Sequence, residues 1–188
     1  MSRLAALRPG DWAPLLGGGD YAEAYLEESW GMTLQFEDSR IEEIASGSDF
    51  GVGLRVLRRV PGTDAFETRH GSLNRFDARA AAELSRRLSG SAADGRRAKP
   101  LPAPSRASHP AAIRPEDVPL ERKTRMLDAV DRAIRAEFPE VRQLSLTYGE
   151  RRKAFLILNS EGEARHEERV STLFVADATA ERDGVLQT

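Results

Sequence analysis

Between residues 20 and 57 apolar and polar positions alternate with period two, the mark of strands that bury one face. Residues 21–29 read as a strand with Ala22, Ala24 and Leu26 on one face and Tyr21, Glu23, Tyr25 and Glu27 on the other. A helix stays open there, since Ala, Glu and Leu all favour one. Met32, Leu34 and Phe36 then alternate with Thr33, Gln35 and Glu37. Residues 37–40 (EDSR) form a turn, 41–45 run back, and 46–49 (SGSD) turn again. The next strand sets Phe50, Val52, Leu54 and Val56 on one face and Gly51, Gly53 and Arg55 on the other. Glycine weakens a strand, so two glycines two residues apart suggest close approach by another backbone or a helix. A β-meander is the expected result.

Around it the pattern changes. Residues 1–19 read as a short helical lead-in ending in Gly17, Gly18 and Gly19, which lack the spacing and the following lysine of a phosphate loop. Pro61-Gly62 breaks the sheet, and 63–75 are poorly patterned. FDARAAAELSRRL, 76–88, predicts a helix capped by Asn74 or Asp77, with Ala80, Ala81, Leu84 and Leu88 as its apolar stripe. From 89 to 119 the chain turns to Ser, Ala, Gly, Arg and Pro, with six of its ten prolines between 100 and 119. Such composition reads as a semi-extended linker, and its length marks a domain boundary.

Pro119 then stands where a helix starts, Leu120, Leu127, Val130, Ile134 and Phe138 recur at helical spacing, and Pro139 stops it. Three strands follow: 141–148, with a turn at Gly149-Glu150; 153–158 (KAFLIL), the most apolar run of the chain; and, after the turn Asn159-Ser160-Glu161-Gly162, a long strand over about 163–180. Arg182-Asp183-Gly184 makes a hairpin turn whose return strand has only four residues, short enough to read as truncation. The expected fold class is α+β: two small antiparallel-sheet-plus-helix units joined by a Pro-rich linker. The expected division is 1–89 for the first domain, 90–119 for the linker and 120–188 for the second.

Composition narrows the function. With 40% hydrophobic and 31% charged residues the chain is of ordinary globular type, and a net charge of −2 gives no whole-chain attraction to nucleic acid or membrane. The absence of cysteine excludes disulfides, a thiol nucleophile and thiolate metal sites. No apolar run approaches the ~18–20 residues of a membrane span, and the start lacks the apolar core of about 7–15 residues of a signal peptide. A cytoplasmic location is expected. Residues 20–50 hold nine acidic side chains against Arg40 alone, whereas 51–99 hold eleven basic against five acidic. This pattern fits a solvated strand face followed by a basic helix, with steering toward a partner as the alternative. Arg96, Arg97, Lys99 and Arg106 are too sparse, without interleaved aromatics, for a nucleic-acid site.

Candidate chemistry is thin. His166-Glu167 invites a zinc motif, but His-Glu-x-x-His needs a second imidazole at position 170, which is Val, and the longer His-Glu-x-x-x-His needs one at 171, which is Ser. His166 also falls in a predicted strand, so an exposed structural histidine is expected. His70 and His109 lie in loop or linker without partner histidines. The pairs Glu27-Glu28, Glu42-Glu43 and Glu167-Glu168 are adjacent along strands and point to opposite faces, which suits solubility better than acid/base work. No catalytic, cofactor-binding or metal-ligating residue emerges.

Two blocks nevertheless carry a resemblance. FEDSRIEEIASGSDFGVGLRV, closing on Asp49, Gly51, Gly53 and Arg55, resembles the acidic turn and Asp-x-Gly-x-Gly-x-Arg strand of the TldD/PmbA family of zinc metallopeptidases, in wording closer to its TldD branch. Downstream, the helix-plus-sheet region is similar to that family's central region, with Asn159, Ser160 and Gly162 in its "NS-x-G" turn. The resemblance covers residues 20–188 apart from the linker, and these seven residues are its structural signature.

The resemblance implies a zinc peptidase subunit that cleaves unfolded peptides inside a chamber formed with a PmbA/TldE-type partner, as a heterodimer or in a homodimer. Zinc is expected in the full-length protein and none in this chain. These residues would supply chamber wall, partner interface and a sheet edge for an extended peptide, and would be inactive alone. The alternative is a non-catalytic binding or assembly module, or a regulatory paralogue pairing with such a partner. The description "modulator of DNA gyrase", also attached to the family, has no support here as a DNA-binding claim.

Overall fold

The computed structural model describes residue 4 and residues 9–75, 77–90, 98–107 and 111–188. A 3-10 turn (Pro9–Leu16) leads into strands β1 (Tyr21–Glu37), β2 (Arg40–Arg59) and β3 (Phe66–Leu73), then helix α1 (Ala78–Ser89). Strand β4 (Ser105–Ala107), a short 3-10 turn (Pro115–Asp117) and helix α2 (Leu120–Glu137) follow. Strands β5 (Val141–Asn159), β6 (Ala164–Arg182) and β7 (Val185–Gln187) complete the order. The fold is α+β. The seven strands lie in the order β3-β2-β1-β5-β6-β4, with β7 beside β6, and the sheet is antiparallel apart from β4, which runs parallel to β6.

The meander is a hairpin of two long strands. Asp38 and Ser39 both take positive φ, 44° and 68°, as a two-residue hairpin loop requires of its central residues. The expected second turn at 46–49 does not exist: β2 runs unbroken from Arg40 to Arg59. Turn propensity is local and yields here to continuous strand pairing, and an added Cβ at Gly47 would meet nothing within 4 Å. The same correction applies at Gly149-Glu150, inside the continuous β5, where Glu150 is buried rather than in a turn. The poorly patterned stretch 63–75 contains β3, paired antiparallel to β2 from Val52↔Leu73 to Arg59↔Phe66. Its exposed polar residues hide the period.

Two compact units emerge, one from residues 1–29, 49–109 and 153–169, the other from 30–48, 110–152 and 170–188. The sequence reading divides the chain serially. The units interleave because β1, β2, β5 and β6 each contribute residues to both.

In the first unit Ala22, Ala24 and Leu26 of β1 meet Phe50, Val52, Leu54 and Val56 of β2 and Ala154, Leu156 and Leu158 of β5, on the faces that the alternation predicts. Leu4, Trp12, Leu15, Leu16, Ala81 and Ala164 complete this core. Asp77 caps α1, its side chain accepting from Ala80 N at 3.0 Å; the alternative cap, Asn74, is not used, and Phe76, the predicted start, lies outside the described residues. Helix α1 approaches β3 so closely that a Cβ on Gly71 would fall 2.8 Å from Leu84 Cδ1. Ser85 Oγ donates to Leu15 O and Ser89 Oγ to Gly17 O, each at 2.9 Å, tying the helix to the lead-in.

The expected linker is partly built into this unit. Ala98 and Leu101 pack on its core, Lys99 N donates to Ser160 O at 2.9 Å, and β4 joins the sheet. Arg96, Arg97 and His109 lie outside the described residues.

The second unit packs Leu127 of α2 against Leu34, Phe36, Leu144 and Leu146, with Met32, Ile41, Val130, Ile134, Val141 and Tyr148 at the margin. Leu120 and Phe138, counted in the predicted stripe, are exposed. Lys123 and Asp131, each four residues from Leu127, are buried instead. Burying charges is tolerated only with partners. Asp131 accepts from Ser39 Oγ at 2.7 Å and from Arg135 Nε at 3.0 Å, and Arg135 also reaches Asp38 at 2.8 Å, fixing the helix to the β1–β2 turn.

Candidate functional site

Strand alternation leaves the odd positions of β1 and β2 on the face of the first unit opposite its core. There Tyr25, Glu27, Ser29, Asp49, Gly51, Gly53 and Ser72 are among the residues lining a groove of about 240 Å³. It adjoins a second, of about 270 Å³, reached by Glu23, Arg55 and His70 and sharing Tyr25, Gly53 and Ser72 with the first. The glycines make the floor. A Cβ on Gly51 would sit 3.6 Å from Leu73 O and one on Gly53 3.9 Å from Tyr25 O, ordinary contact distances. The close approach expected over this pair is therefore not made by the described residues, and the missing side chains open space.

The walls are electrostatically balanced. Arg55 pairs with Glu23 at 3.2 Å and Lys153 with Glu27 at 2.7 Å. Tyr21 donates to Glu23 at 2.9 Å and Tyr25 to Glu27 at 2.6 Å. Burial, then the Glu23 carboxylate, pushes the Tyr21 hydroxyl above its ordinary value, which makes it a donor and not a base at neutral pH. Tyr25 stacks on Phe155 with ring centroids 5.9 Å apart, and the Arg169 guanidinium lies over Phe155 at 5.2 Å. Asp49 accepts from Phe50 N at 2.8 Å. This surface presents aromatic rings, hydroxyls and neutralised charges.

Of the seven signature residues, Asp49, Gly51 and Gly53 line the first groove, and Arg55 the second. Asn159, Ser160 and Gly162 form a separate β5–β6 turn. Asn159 Oδ1 accepts from the backbone N–H of Glu161 and Glu163 at 3.1 and 3.0 Å, an Asx-type closure. Ser160 clamps β1 from both sides, N donating to Ala22 O at 2.8 Å and Oγ accepting from Ala22 N at 3.0 Å. Gly162 takes φ 89°, and a Cβ there would press within 3.1 Å of Pro100 O.

Sequence reasoning misses the strongest buried polar cluster. Lys123 Nζ lies 2.6 Å from Glu150 Oε1 and donates to Pro115 O at 2.8 Å, while Tyr148 donates to Glu150 Oε2 at 2.8 Å. The Tyr148 hydroxyl is pushed up to about 12, by burial and then by that carboxylate. The available signal is helical spacing: Lys123 stands on the same face as Leu127.

A zinc ion does not fit the described residues. They contain no group of three or more His, Asp and Glu side chains able to hold a metal. His166 stands in β6, with Val170 and Ser171 where a second imidazole would be needed. It is half-buried, not exposed as expected, with Nε2 buried and without a hydrogen-bond partner among the described residues. Burial, then neighbouring Arg106, holds its pKa below the ordinary value. No helix among the described residues is long and apolar enough to cross a membrane.

Two family models match in chain order: PmbA/TldA metallopeptidase domain 1 over residues 22–88, and the PmbA/TldA metallopeptidase central domain over 113–188. No curated protein matches the sequence. Three solved structures share the fold. A putative modulator of a DNA gyrase from Thermotoga maritima MSB8 superposes with TM-score 0.66 at 15% identity, over 88% of this chain and 37% of that one. TldE from Thermococcus kodakarensis gives 0.66 at 12%, over 90% and 38%. A putative modulator of DNA gyrase from Bacteroides thetaiotaomicron VPI-5482 gives 0.67 at 17%, over 98% and 43%. The chain thus spans less than half the length of these structures.

Proposed function

The chain belongs to the TldD/PmbA metallopeptidase family, and from that premise we propose that it forms the non-catalytic front portion of a TldD-like subunit acting in proteolysis of unfolded peptides. The observation that carries this reading is the pair of domain matches in family order on described residues that hold no metal-ligand group. In this reading zinc and the hydrolytic water belong to residues beyond the two matched domains, in a cytoplasmic protein. The chain's own residues supply chamber wall and the surface for a PmbA/TldE-type subunit or for a second copy. The seven signature residues act architecturally: Asn159, Ser160 and Gly162 lock the β5–β6 turn to β1, and Asp49, Gly51, Gly53 and Arg55 shape the groove.

Elemental analysis and a peptidase assay on an unfolded peptide test this directly. The purified 188-residue chain is expected to carry no stoichiometric zinc and to leave the peptide intact. Zinc at one equivalent, or cleavage that a chelator abolishes, overturns the reading. A stand-alone binding or assembly module is the second reading, favoured by the two apolar cores that the described residues assemble. A cooperative unfolding transition of the chain alone supports it.

A further inference from the structure

The two adjoining grooves on the outer face of the first unit form one trough laid along β2. Its floor is Gly51 and Gly53, with Asp49 at one end and Arg55 at the other. Tyr25 and Glu27 of β1 stand on one bank, and His70, Ser72 and Asn74, in and just beyond β3, stand on the other. The banks rise from strands two spacings apart, about 9–10 Å, and the run from Asp49 to Arg55 is roughly 20 Å.

Nothing among the described residues asks for the two glycines. Neither has the positive φ that other residues avoid, and a Cβ at either would make only ordinary contacts. Glycine inside a strand costs stability, and where neither backbone nor packing requires it, it marks close approach by a ligand or another backbone.

The banks indicate which chemistry approaches. Glu23 and Glu27 are neutralised by Arg55 and Lys153, so the middle of the trough holds no net charge to select an ion. Among the described residues the hydroxyls of Ser29 and Ser72 and the amide of Asn74 have no hydrogen-bond partner, and Asp49 uses one carboxylate oxygen only, on Phe50 N. An α-helix, about 10–12 Å across with its side chains, is too wide to enter. An added strand needs a row of backbone donors and acceptors, which a sheet offers at its edge and not on its face. A hydrocarbon chain would leave the polar groups unpaired. The remaining fit is a flat, uncharged molecule rich in hydroxyls, which both donate and accept.

We propose that this trough binds a neutral oligosaccharide, its rings lying along Gly51 and Gly53. The ring of Tyr25, which lines both halves of the trough, takes sugar C–H groups against its electron-rich surface. Asp49 and Asn74 at one end, and the Arg55–Glu23 pair at the other, present planar groups that bond to adjacent hydroxyls in pairs. This inference rests on the groove alone and stands apart from the peptidase reading.

Proton–nitrogen correlation spectra of the 188-residue chain, titrated separately with maltotriose, cellotriose and N-acetylchitotriose, test it. At least one sugar is expected to shift the amides of Gly51, Gly53, Ser72 and Asn74 saturably and to leave those of α2 in place. Gly53→Val, which fills the floor, is expected to abolish these shifts. Asp49→Ala, at an exposed position, is expected to weaken binding about tenfold with parent-like circular dichroism. No saturable shift with any of the three sugars overturns the inference. So does parent-like sugar binding by folded Asp49→Ala or Gly53→Val. Shifts of the same amides by an uncharged unfolded peptide, and by no sugar, overturn it in favour of a peptide.

Discussion

Lys123 Nζ sits 2.6 Å from Glu150 Oε1 with the two side chains only 6% and 0% exposed, a fully enclosed ion pair between the first turn of α2 and the middle of β5. Desolvation cancels most of the attraction in such a pair, but removing one partner leaves a bare charge. Glu150→Ala is expected to destabilise the chain by about 3–5 kcal/mol. The double variant Lys123→Met/Glu150→Leu should stay within about 1 kcal/mol of the parent or exceed it. Urea denaturation of Glu150→Ala and of the double variant, each against the parent, decides this.

Asp131 offers a second test. It is 1% exposed and accepts from Ser39 and Arg135. Asp131→Ala should cost about 1.5–3 kcal/mol, the range for hydrogen bonds to charged groups, and Ser39→Ala about 1. Because they share one bond, the double variant should cost less than the sum. A double-mutant cycle by thermal melting measures the coupling.

Acid sensitivity follows from His166. Its folded pKa is lowered by burial, so below the unfolded value of 6.5 the unfolded chain binds the proton first. Its contribution to stability is complete above pH 6.5 and falls as pH drops toward the folded pKa. His166→Phe should flatten the dependence of the urea midpoint between about pH 7 and 5. An unchanged slope would remove His166 as the source.

Glycines divide by what stands over them. Gly71→Ala forces Leu84 or α1 aside and should destabilise by roughly 1–3 kcal/mol, the usual cost of overpacking. Gly53→Ala meets only ordinary contacts and should alter stability by less than about 1 kcal/mol. Parallel melts of the two variants compare them.

The sequence makes some of this architecture legible and hides the rest. Strict alternation alone places Ala22, Leu26, Phe50, Val52, Leu54 and Val56 on buried faces, and all six meet in one core. The turns at Asp38-Ser39 and Asn159-Ser160 are equally plain, because they need residues that tolerate positive φ or close on their own backbone. Strand β3 is hidden because its side chains are mostly exposed, so no buried face imposes a period. The extent of β2 and β5 is hidden because Ser46-Gly47-Ser48 and Gly149-Glu150 are turn formers that the sheet holds extended. Of the candidate site, the glycines and Arg55 are visible, whereas the grouping of Tyr25, Phe155 and Arg169 comes from three separate strands and has no local signature.

The interleaving of the two units has a consequence for synthesis. The first unit needs residues 153–169, which include Leu156 and Leu158 of its core. After residue 109 has left the ribosome, some sixty more residues must be made before that unit can close. At about 5–20 residues per second that is a wait of roughly 3–12 s. During it, β1 lacks the strand that covers its inner edge, and Ala22, Ala24 and Leu26 are without their β5 partners. The usual order, in which N-terminal structure is finished before C-terminal structure appears, is closed to this chain. Until β5 arrives, the core positions of β1 stay without the leucines that cover them in the folded chain.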